Sequence, residues 1–119
     1  MKIKYFLLAG LLLGIVSYTD ISCSKASKTP IVANMVTIQS SMFDPGIITV
    51  VKGSAITWKN NDGFSHTATS NTGVSPAFDT GMIAAGTTSS PITFNIVGTF
   101  PYHCMVHGLA MSGTVIVTN

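Results

Sequence analysis

From residue 35 onward the chain predicts an all-β fold, an antiparallel sandwich of seven to eight short strands. Three observations carry that prediction. Apolar and polar residues alternate in short runs, turn-forming residues recur about every 8–12 positions, and no stretch keeps a helical period.

Taken in order, residues 35–39 alternate and make a first strand, and Asp44-Pro45-Gly46 is a turn. Residues 47–51 and 55–58 are rich in β-branched side chains and are separated by Lys52-Gly53-Ser54. Asn60-Asn61-Asp62-Gly63 is a loop, because Asn and Asp bond their own backbone and Gly tolerates left-handed conformations. A further strand begins at His66. Residues 71–90 are rich in Gly, Ser, Thr and Asn, with Phe78 and Met82 as their expected apolar anchors. Residues 91–97 alternate again, with Ile92, Phe94 and Ile96 on one face. Gly98-Thr99 turns the chain into a strand ending at Cys104, and residues 113–118 form the last strand. Trp58 and the phenylalanines are expected in the core.

Ahead of this domain, residues 1–22 read as an export signal. Lys2 and Lys4 precede an apolar run over residues 5–16, too short for a permanent bilayer span, which takes roughly 20 residues. Residues 23–34 then form a polar tether to a single domain over residues 35–119. Asp20-Ile21-Ser22-Cys23 resembles a lipoprotein cleavage site, although Asp20 stands where an aliphatic residue is usual. It favours membrane attachment through an acylated Cys23, over cleavage nearby or a disulfide with Cys104. Beyond residue 22, four lysines against three aspartates leave a net charge of +1. So balanced a surface lacks the basic footprint of a nucleic-acid binder and steers partners weakly, which leaves apolar contact to guide docking.

The chemistry is concentrated near the end. Cys104, His107 and Met111 place a thiol, an imidazole and a thioether within eight residues. His66, preceded by the loop at 60–63, is the upstream imidazole able to join them. One thiolate, two imidazoles and a weak axial thioether are the donors that trigonal copper takes. Strand alternation turns His103 and Met105, which flank Cys104, away from such a site. Thr67 is placed to bond the loop that carries Cys104 and so orient it.

Several segments together resemble the cupredoxin family of blue type 1 copper proteins, with plastocyanin-like and amicyanin-like members nearest in pattern. They are Phe43-Asp44-Pro45-Gly46-Ile47-Ile48-Thr49-Val50, Ile56-Thr57-Trp58-Lys59-Asn60-Asn61-Asp62, Ser65-His66-Thr67 and Gly98-Thr99-Phe100-Pro101-Tyr102-His103-Cys104, followed by His107, Met111 and Gly113-Thr114-Val115-Ile116-Val117. The resemblance covers roughly residues 35–118. It implies a Greek-key sandwich with one type 1 copper held by His66, Cys104, His107 and Met111. The gap from His107 to Met111 lies between those of amicyanin and plastocyanin. Taken with the export signal, it points to a periplasmic or cell-envelope monomer that is not an enzyme and shuttles single electrons. A redox donor and acceptor would dock near His107 and Leu109.

Two other functions use the same donors. A copper carrier or chaperone would hand the metal on, but such proteins favour open Met/His sites over a thiolate in a closed loop. A copper enzyme would need a further metal centre, and three histidines leave only His103 for it.

Overall fold

The computed structural model describes residues 34–119; the expected signal segment, residues 1–22, and residues 23–33 of the expected tether, with Cys23, lie outside the described residues. Eight strands follow one another: β1 (Asn34–Gln39), β2 (Met42–Asp44), β3 (Ile47–Val51), β4 (Ser54–Asn60), β5 (Thr69–Ser70), β6 (Ile92–Phe94), β7 (Gly98–Cys104) and β8 (Gly108–Thr118). They form two four-stranded sheets, ordered β2-β1-β4-β6 and β3-β8-β7-β5. The all-β sandwich and its strand number are as the sequence predicts. The chain passes repeatedly from one sheet to the other, so β3 and β4 lie in different sheets despite the short turn between them. Most ladders are antiparallel, while β1 with β4 and β3 with β8 run parallel. Alternation marks a strand and its buried face, but is indifferent to the direction of its neighbour.

The inward residues of each strand meet between the sheets. Val36 and Ile38 of β1 and Ile56 and Trp58 of β4 face Phe100 and Tyr102 of β7 and Val115 and Val117 of β8, all essentially without solvent contact. Each such side chain contributes on the order of 1.5–3 kcal/mol of transfer free energy. Trp58 and Tyr102 tie the sheets together, with ring centroids 5.7 Å apart and the indole Nε1–H donating to the Tyr102 hydroxyl at 3.2 Å. Burial pushes the Tyr102 hydroxyl up to about 12, so it stays protonated and available to accept that bond. Its ring lies over Gly113, its partner across the β7–β8 ladder, where a Cβ would come within 2.5 Å.

Two apolar positions depart from the expected pattern. Met82 is exposed and the neighbouring Ile83 is buried, because Ile83 pairs with His66 through two backbone bonds of 3.1 and 2.7 Å. Ile96 is exposed because β6 ends at Phe94 before a third inward residue is reached. Phe78 does pack on the core, stacked against Trp58 with centroids 5.8 Å apart.

Candidate metal centre

Cys104 is the last residue of β7 and continues the inward row of Phe100 and Tyr102, so its thiol is fully buried. The chain then reverses tightly. The His107 N–H donates to the Cys104 carbonyl at 3.2 Å, and Gly108, at φ +64°, pairs back across to Cys104. That left-handed step is cheap for glycine and costly for a residue with a Cβ. The reversal brings His107 Nδ1 to 3.6 Å from Cys104 Sγ. His66, held beside Ile83, places its own Nδ1 3.7 Å from the same sulfur.

Donor atoms of His66, Cys104 and His107 all lie within 4.8 Å of one another. Metal–sulfur and metal–nitrogen bonds of about 2.3 and about 2.0 Å, opened to a trigonal angle, set sulfur and nitrogen roughly 3.7 Å apart. The observed separations of 3.6 and 3.7 Å fit one ion between the three. Met111 is buried on the inward face of β8, in register with Gly113 and Val115. It belongs to the three-residue bulge, 109–111, that faces the step from His103 to Cys104. The backbone thus sets its thioether at the same end of the sandwich as the thiol.

Outside the donors, hydrogen bonds fix the loops. The Thr67 N–H points at Cys104 Sγ, 3.4 Å away, and Thr67 Oγ1 accepts the Met105 N–H at 2.9 Å, the loop contact expected of it. Thr67 Oγ1 meets Thr69 Oγ1 at 3.0 Å, and Thr69 donates to the Asp79 carboxylate at 2.9 Å. A line of bonds thus runs from a surface carboxylate to the backbone just after the thiol. Such partners hold a ligand's direction as the metal's charge changes.

Several participants escaped the sequence reading. Buried Asn60 donates to the carbonyls of Phe64 and Ile83 at 2.8 and 2.9 Å and accepts the Asp62 N–H at 2.9 Å, so it shapes the loop that presents His66. The Asp62 carboxylate meets His66 Nε2 at 2.9 Å. Phe64, expected in the core, is half exposed and packs on both imidazoles, with centroids 4.8 Å from His66 and 5.7 Å from His107. An Asp or Phe in a turn-rich segment carries no periodic signal, although a carboxylate four residues before a ligand histidine was visible. His103 and Met105 point away as predicted: His103 Nδ1 meets Asn71 Oδ1 at 2.7 Å, and Met105 is exposed.

The profile of a family described as copper binding proteins, plastocyanin/azurin family, matches residues 31–118. The chain belongs to that family. Copper is accordingly its metal, and single-electron transfer at a type 1 centre, not catalysis, is the family's general role. Plastocyanin of Scenedesmus fuscus is 30% identical over 92 residues, spanning 64% of this chain and 86% of that protein. The chloroplastic plastocyanin of Tetradesmus obliquus is 33% identical over 92 residues, spanning 64% of this chain and 58% of that protein. Among solved structures, an oxidised amicyanin variant superposes with a TM-score of 0.65 at 30% identity, covering 72% of this chain and 82% of that one. A reduced amicyanin variant gives 0.66 at 28% identity, covering 76% and 87%.

Proposed function

We propose that this protein is an exported single-electron carrier in which Cys104, His66 and His107 hold one copper ion, with Met111 as a weak axial donor. The carrying observation is the convergence of one buried thiol and two imidazole nitrogens at 3.6 and 3.7 Å, at the end of a rigid sandwich. Copper in such a set supplies a one-electron couple between Cu(II) and Cu(I), since thiolate and thioether suit the reduced ion and imidazole the oxidised one. The protein's part is to keep those donors still. Cys104 is fixed by its strand and by the Thr67 N–H, and His66 by the loop that Asn60 organises. Donors that do not move between the two states let an electron pass quickly.

His107 is the exit. It is half-buried in a loop whose neighbours Met105, Val106 and Leu109 are exposed and apolar, with Leu109 at 70% exposure. A redox donor and a redox acceptor would each dock on this surface, around His107 and Leu109, by apolar contact. The signal-like segment and Cys23 support a periplasmic or cell-envelope location with a lipid anchor, the domain itself acting as a monomer.

Chelator competition and stopped-flow reduction of the copper-loaded protein test this reading together. An electron carrier reduces within milliseconds to seconds and gives up copper over hours. Rapid release of metal to the chelator, with sluggish reduction, would identify a copper carrier instead.

A further inference from the structure

Asp62 stands behind His66, on the side away from Cys104. Its carboxylate collects three bonds: Oδ1 from the Ser40 N–H at 2.7 Å, and Oδ2 from the Ser41 N–H at 2.9 Å and from His66 Nε2 at 2.9 Å. The Asp62 side chain is 10% exposed and that of His66 fully buried. The Ser41 N–H above all, with those of Ser40 and His66, holds the carboxyl below its ordinary range, against the opposite pull of burial.

The turn that supplies two of those donors is an unusual one. Ser40 and Ser41 are the whole connection between β1 and β2, and both take left-handed backbone, at φ 53° and 56°. A two-residue hairpin of this hand matches the twist of its strands, but Asn-Gly is the pair that adopts it readily. Serine has no such preference, and the left-handed region is unfavourable for it. The bonds from both N–H groups to one carboxylate offset that strain, and in return the turn fixes the carboxylate from two directions.

We propose that Asp62 is the positioning residue of the metal centre: anchored by the Ser40–Ser41 turn, it holds the His66 ring with Nδ1 toward Cys104 and favours the oxidised state of the bound metal. The free ring nitrogen of a histidine is set by the bond the other nitrogen makes. With Nε2–H donated to Asp62, the lone pair is on Nδ1, the atom that faces the sulfur. A carboxylate behind a ligand imidazole also raises its basicity. Fixed negative charge in a poorly solvated position favours the more highly charged metal ion, so it lowers the reduction potential.

The effect on the metal rests on the copper reading above; the ring orientation does not. Nitrogen-15 NMR of the metal-free wild-type protein, at a pH where the ring is neutral, addresses orientation. A single tautomer at His66 with the proton on Nε2 is expected, and a mixture of tautomers would overturn the proposal even if no variant folds. Asp62→Asn keeps size and an acceptor oxygen but removes the charge. The variant should keep the blue band and lose about tenfold in preference for Cu(II) over Cu(I), a rise in potential of about 59 mV for one electron. A merely structural role would lower the melting temperature and leave the potential where it was, and that result would also overturn the proposal. A wild-type protein with no blue band would instead defeat the copper reading, leaving the tautomer measurement to judge Asp62.

Discussion

His66 and His107 reach one thiol at nearly equal distances, 3.7 and 3.6 Å, yet they are held by different parts of the chain and by different forces. His66 is fully buried, its backbone paired with Ile83 and its outer nitrogen bonded to Asp62. Asn60 and the Ser40–Ser41 turn stand behind that arrangement. His107 is half-buried in a turn closed by Gly108, and among the described residues no protein group bonds its Nε2. The contrast teaches that the centre has a fixed wall and an open door. In the proposed function, the wall would hold geometry through a change of charge, and the door would give the electron a route to another protein.

If that division is right, damage to the wall costs stability and damage to the door costs rate. The largest effect is expected at Asn60→Ala, which leaves the Phe64 carbonyl and the Asp62 N–H without their partner and takes from the Ile83 carbonyl one of its two bonds, the other coming from the His66 N–H. Each unsatisfied group costs about 1–3 kcal/mol, so a loss of about 3 kcal/mol should appear in urea unfolding of the metal-free protein. A loss under about 1 kcal/mol would show that His66 needs no such support. Next comes Leu109→Lys, which puts a charge on the proposed docking surface without changing any of the proposed donors. It should slow electron exchange with a redox partner about tenfold, equivalent to about 1.4 kcal/mol, while leaving the absorption spectrum unchanged. An unaltered rate would place the exit elsewhere. The smallest effect belongs to Val106→Ala, in the loop but exposed; its stability should stay within about 0.5 kcal/mol of the parent. A large loss there would mean that the loop, too, is part of the wall.

How far the sequence showed this division depends on the kind of signal each residue carries. Cys104, His107 and Met111 could be found together because their donors are rare and close in sequence. His66 could be added because copper of this type needs a second imidazole. Most strands were legible from alternation, but the short β2 was not, the strand expected from His66 begins only at Thr69, and the last one starts at Gly108 instead of residue 113. What stayed hidden is contact between distant segments. Asp62 meets Ser40 and Ser41 across 22 and 21 residues, and Asn60 reaches Ile83 across 23. No local pattern records such pairings. Single-residue displacements were hidden for a related reason. Met82 and Ile83 are equally apolar, and only the backbone pairing of Ile83 with His66 decides which one turns inward. Phe64 was placed in the core by its hydrophobicity, whereas the loop carries it out to cover the two imidazole rings.

In the proposed function, the Cys104 thiolate and the two imidazoles bind one copper ion that cycles between two oxidation states. The most direct measurement is the visible absorption spectrum of residues 23–119 after addition of Cu(II), followed by ascorbate. An intense blue or green thiolate-to-copper band that bleaches on reduction, and that is absent from Cys104→Ser, is the predicted result. Bound copper without that band would mean that Cys104 is not a ligand and that the centre is not of type 1.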